Sequence, residues 1–71
     1  YTPYDFVFAD PPYEMEKFES IPGLVKDSGL VAKGGIFVLE HGERIAFGGV
    51  DGFVECRKFG HVHFSFFTFE S

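Results

Sequence analysis

Tyr4-Asp5-Phe6-Val7-Phe8-Ala9-Asp10-Pro11-Pro12-Tyr13 is the stretch that decides the fold. Its first six residues form a short apolar run that ends in turn residues. Such a run predicts a strand buried on both faces, as in a parallel sheet. Alternation along it sends Tyr4, Phe6, Phe8 and Asp10 one way and Asp5, Val7 and Ala9 the other. The two prolines end the ladder because neither can donate a backbone N–H. Pro11 also biases Asp10 towards an extended backbone. A carboxylate, a rigid corner and an aromatic ring are thus expected at the carboxyl end of a strand. In open α/β sheets that end is where ligands bind.

This grouping suits a flat ring carrying an exocyclic amine. The Asp10 carboxylate can accept one N–H of the amine and the Pro11 carbonyl the other. The Tyr13 ring can stack on the base. Two acceptors leave the amine lone pair free to attack an electrophilic methyl group. Asp10-Pro11-Pro12-Tyr13 resembles the Asp/Asn-Pro-Pro-Tyr/Phe motif of amino-group methyltransferases that use S-adenosylmethionine. The structural alternative is a Pro-Pro turn whose aspartate caps a following helix.

Composition sets the frame. The chain has 71 residues, 45% of them hydrophobic and 11 of them Phe. That is enough for one small domain and too apolar for a disordered tail. So many Phe in so short a chain suggest an interior cut from something larger. No run of about eighteen apolar residues occurs, so no membrane helix is expected. The start, Tyr1-Thr2-Pro3-Tyr4, lacks the basic region of a secretory leader and an initiator methionine, which fits a fragment or a processed chain. A lone cysteine, Cys56, suits a reducing cytoplasm. The net charge of −5 argues against a broad nucleic-acid surface within this segment.

After the motif, Glu14 to Gly29 reads as helix. Phe18, Ile21, Leu24 and Val25 form its apolar face, and Gly29 its C-cap. Pro22-Gly23 predicts a kink, or a second helix with Pro22 in its first turn. Lys33-Gly34-Gly35 reads as a turn and Ile36-Phe37-Val38-Leu39 as a second buried strand, parallel to the first through a right-handed crossover. Glu40-His41-Gly42 would share the edge of Asp10. Gly42 to Gly52 is a loop, with a helical turn near Arg44–Ala46. Phe53 to Phe59 alternates, with Phe53, Glu55, Arg57 and Phe59 on one face. His61 to Glu70 is the last strand, apolar on both faces, and makes an antiparallel hairpin with its predecessor.

Three pieces together, Asp10–Tyr13, Gly34–His41, and Arg57-Lys58-Phe59-Gly60 leading to Phe64-Ser65-Phe66-Phe67, resemble the C-terminal half of the RsmD family. That family methylates the N2 amino group of a guanine in 16S ribosomal RNA. The resemblance implies an α/β fold: half of a Rossmann-like methyltransferase sheet, with two parallel strands and a crossover helix, then a hairpin whose last strand lies between its neighbours. Residues 1–71 would be one partial domain, the substrate-side half. The resemblance implies Asp10, Pro11, Pro12 and Tyr13 as the catalytic set. Asp10 and Tyr13 would bind substrate, with His41 at the mouth of the site or behind it.

The cofactor implied is S-adenosylmethionine. Its glycine-rich loop has no counterpart here, so no cofactor-binding residue is assigned and the segment alone should be inactive. Ribosomal RNA is the implied substrate. The alternatives are half of a DNA adenine or cytosine amino-methyltransferase, and a non-catalytic folding or interaction module. His61 and His63 lack further ligands for a metal site. Cys56 reads as a packed thiol, and Arg57 and Lys58 first as ordinary surface charges, with a small phosphate contact as the lesser alternative. The unpaired apolar edge of Tyr4–Ala9 predicts self-association.

Overall fold

A computed structural model of the chain describes residues 3–11 and 18–70. Four strands form one sheet: β1 (Tyr4–Ala9), β2 (Val31–Gly42), β3 (Phe53–Phe59) and β4 (Val62–Thr68), in spatial order β1-β2-β4-β3. β1 runs parallel to β2; β4 is antiparallel to both β2 and β3. The last strand is therefore inserted between its neighbours. One helix, α1 (Ile21–Ser28), follows a single 3₁₀ turn at Phe18–Ser20.

Of the two readings of Pro22-Gly23, the structure has the helix that starts with Pro22 in its first turn; the expected start at Glu14 lies outside the described residues. Pro22 occupies its first turn, where the missing N–H costs nothing. Gly29 closes it at φ 73°, the left-handed conformation that glycine adopts freely. The Ser28 hydroxyl donates to the Val25 carbonyl at 2.7 Å and accepts from the Leu30 N–H at 3.1 Å. Ile21 and Pro22 are buried and Val25 half-buried. Leu24, expected on the same stripe, is 62% exposed.

Lys33-Gly34-Gly35 is not a turn before β2; it lies within β2. The step from Tyr4 to Phe6 is matched by the step from Val31 to Ile36, so β2 carries an irregularity there. Gly34 takes φ 77° and its N–H donates to the Phe69 carbonyl at 3.1 Å, which ties the irregular segment to the end of β4. A Cβ on Gly35 would meet the carbonyl oxygens of Ala32 and Asp5 at 2.9 Å, so the contact with β1 requires glycine.

Register assigns the faces. Val7, Ala9, Phe37, Leu39, His41, His63, Ser65 and Phe67 share one side. This side packs against α1 and the 43–52 loop, and its core is Ile21, Val31, Phe37, Leu39, Phe47, Phe67 and Phe69. A register shift between Phe53 and Glu55 corrects the expected alternation of β3. Phe53 pairs with Phe67 and faces the core, whereas Glu55 pairs with Phe66 on the other side.

The second face is uncovered among the described residues. Tyr4 (59%), Phe6 (61%), Phe8 (49%) and Phe59 (63%) stand exposed on it. β1 is thus not buried on both faces, because α1 covers only the side of Val7 and Ala9. Cys56, expected as a packed thiol, is exposed. No helix among the described residues is long and apolar enough to cross a membrane.

Candidate functional site

The carboxyl ends of β1 and β2 lie side by side because the two strands are parallel and Ala9 pairs with Leu39. Asp10 and Pro11 extend β1 beyond that pair; Glu40, His41 and Gly42 extend β2 beyond it. Asp10 is exposed, and its carboxylate makes no hydrogen bond or ion pair among the described residues. Pro11 is half-buried. A free carboxylate next to a proline-fixed backbone is a pair of acceptors on one strand end. Pro12 and Tyr13 lie outside the described residues.

His41 is not a surface group. It is 1% exposed on the covered face. Its Nδ1 lies 2.9 Å from the Gly42 carbonyl, which can only accept, so Nδ1 carries the proton. Nε2 then accepts from the Ser65 hydroxyl at 2.6 Å. Ser65 is also 1% exposed, and it sits on the β4 register position opposite Leu39. The Phe47 ring meets the imidazole edge-on at 5.0 Å and His63 at 5.5 Å. Burial holds the His41 pKa below its ordinary value, outweighing the Gly42 carbonyl that favours the charged form; nearby His63 lowers it further. The ring is a neutral, fully bonded interior group behind the strand end.

The pattern of the sequence did not reveal three of these features. Phe47 lies in a glycine-rich loop yet is 1% exposed and packs edge-on against Phe67 at 5.5 Å. A lone aromatic among glycines was the available signal. Ser65 as the partner of His41 depends on the β2–β4 register. His61 donates through Nδ1 to the Glu43 carboxylate at 2.7 Å, an exposed ion pair that joins the 43–52 loop to the hairpin turn. That hydrogen bond raises the His61 pKa and lowers that of Glu43. Among the described residues no group of three potential metal ligands comes together.

Residues 1–68 match the sequence profile of a family described as conserved hypothetical protein 95. The chain belongs to this family. Among solved structures it resembles an Escherichia coli protein designated a methyltransferase, yhhF, with 22% identity and a TM-score of 0.72; the match covers 97% of this chain and 39% of that one. A hypothetical protein of Thermus thermophilus matches at 27% identity and a TM-score of 0.75, covering 94% of this chain and 36% of that one. A Haemophilus influenzae protein designated a methylase matches at 16% identity and a TM-score of 0.73, with 96% and 44% covered. The chain therefore spans well under half the length of these structures. No curated protein sequence matches it significantly.

The fold family raises the question of a methyl donor. The positive-φ glycines are Gly29, Gly34, Gly52 and Gly60. They close a helix, kink β2, enter β3 and turn the hairpin. None lies between the end of a strand and the start of a helix, where a dinucleotide-type cradle would need it. The described residues therefore supply no glycine cradle of that kind.

Proposed function

We propose that this chain is the substrate-side half of an S-adenosylmethionine-dependent methyltransferase acting on the N2 amino group of a guanine in 16S ribosomal RNA. The observation that carries the reading is the exposed Asp10 carboxylate, unpaired among the described residues, with Pro11 at the carboxyl end of β1, beside the end of β2. It occurs in an RsmD-like family whose fold is shared with proteins designated methyltransferase. Asp10 and the Pro11 carbonyl accept the two amine hydrogens and leave the nitrogen lone pair unencumbered. Tyr13 stacks on the base, a contact worth about 1–3 kcal/mol in single-stranded recognition. His41 sets the end of β2 from behind, through Ser65. S-adenosylmethionine would supply an electrophilic methyl group. Its cradle belongs to the part of such a protein that this segment does not span, so the segment alone transfers no methyl group.

The test is a polypeptide completed to the length of the matched structures, incubated with undermodified 16S ribosomal RNA and labelled donor. The expected product is N2-methylguanine, found by mass spectrometry of the digested RNA. Methylation of duplex DNA instead, or of neither nucleic acid, would overturn the reading.

A further inference from the structure

Ala9 pairs with Leu39, and Asp10 and Glu40 follow them side by side at the carboxyl edge of the parallel pair. Neighbouring strands lie about 4.8 Å apart, a gap that two carboxylates can bridge with one planar ligand. Alternation gives the two the same side: Phe8 pairs with Val38, and Asp10 and Glu40 each stand two residues further on. That side carries the exposed rings. Phe8 is 49% exposed, and its ring lies 6.4 Å from that of Phe64, the β4 residue opposite Glu40. Two carboxylates thus stand at the end of an aromatic wall against which a flat ring can rest.

The two are held differently. Asp10 lies beyond the last ladder pair of β1, whereas Glu40 is half-buried within β2. The next residue, His41, is fixed on the opposite side by Gly42 and Ser65. Arg57, next in the cross-strand row of Glu40 and Phe64, is turned to Glu55 at 3.3 Å and to the Phe66 ring at 5.8 Å. A carboxylate has about four acceptor positions and no donor, so a partner already on Glu40 leaves room for a ligand N–H. Enzymes that act on a base read its Watson–Crick edge. On guanine that edge has N1–H beside the N2 amine. Adenine and cytosine have a ring-nitrogen lone pair beside theirs. With the amine on Asp10 and Pro11, the neighbouring ring atom meets β2, where a carboxylate accepts from N1–H and repels a lone pair.

We propose that Glu40 determines base specificity: it accepts from guanine N1–H and rejects bases that carry a lone pair at that position. This role rests on the methyltransferase reading of the Asp10 edge and gives that site its selector for guanine.

The experiment uses the completed protein and the 16S ribosomal RNA segment that it methylates, made with guanine or with 2,6-diaminopurine at the target. The second base keeps the 2-amine but has a bare N1. The expected kcat/KM favours guanine by about tenfold to a hundredfold, the worth of one hydrogen bond to a charged group. Glu40→Gln, whose amide can donate to a bare N1, should bring the two values together while the thermal melt stays unchanged. A merely structural role would lower both values and keep their ratio, and that result would overturn the proposal. So would equal transfer to both RNAs by the unaltered protein, an outcome that needs no variant. Transfer to guanine with a ratio that Glu40→Gln does not move removes Glu40 alone and leaves the methyltransferase reading standing. If the unaltered protein methylates no segment, that reading fails and the role of Glu40 with it.

Discussion

The two faces of the sheet carry the same residue type to opposite ends. Phe37 and Phe67 are fully buried on the covered face, with their rings 5.7 Å apart. Phe6, Phe8 and Phe59 stand 49–63% exposed on the other. Yet Val38, in the middle of the bare face, is only 4% exposed. The hydrophobic pattern of a strand records what a sheet is built to be covered by. Here α1 and the 43–52 loop supply one cover, and the described residues supply no second.

The contrast can be broken most sharply by truncating one ring on each side. Phe67→Ala should cost about 3–5 kcal/mol, the range for emptying a packed aromatic site, and leave little folded chain. Phe59→Ala should change stability by less than about 0.5 kcal/mol, as surface substitutions do. Chemical denaturation of both variants checks this. Equal losses would mean that the exposed face is packed in solution.

Such packing has an expected source. β1 is the edge of the sheet, has no lysine or proline within it, and borders the bare aromatic face. We expect the chain to self-associate through this edge, most simply about a two-fold axis. Sedimentation at micromolar concentration should give a mass above one chain. Phe6→Lys should lower it, while a sharp monomer boundary for the unaltered chain would refute the expectation.

Much of this architecture was legible in the sequence, and the misses have physical causes. The Tyr4–Ala9 strand, the Gly29 cap, the hairpin at Gly60 and the central place of the Phe-rich last strand follow from local signals: an apolar run before prolines, a left-handed glycine, alternation on both faces. The Lys33-Gly34-Gly35 segment was misread because a glycine pair marks a strand irregularity as readily as a turn. The faces of β3 were misassigned because a one-residue register shift reverses every side chain beyond it. For the site, the sequence located Asp10 and Pro11 at a strand end. It could not place Ser65 behind His41, since that contact depends on strand order.

A smaller effect separates the interior histidine from the exposed one. His41 has a lowered pKa, so the unfolded chain takes up a proton first as pH falls. Its contribution is intact above the unfolded value near 6.5 and is lost as pH drops through the folded pKa. His61 has a raised pKa, so its contribution is present below 6.5 and fades as pH rises through the folded value, and solvent weakens it. Net stability should decline from neutral pH to pH 5, and His41→Gln should flatten that slope. An unchanged slope in thermal melts would remove His41 as its cause. Smallest of all, Lys26→Met should leave stability almost unchanged, because its 2.7 Å bridge to Asp51 is exposed; a clear loss in denaturation would assign the bridge a packing role.

The central claim is that the Asp10 carboxylate holds the amine to be methylated. The most direct measurement is the single-turnover rate of methyl transfer by the completed protein carrying Asp10→Ala, with its thermal melt recorded beside it. The account predicts an unchanged melt and a rate lower by about 10²–10³-fold, the scale for removing one positioning hydrogen bond at a reacting centre. A rate near that of the unaltered protein would contradict it.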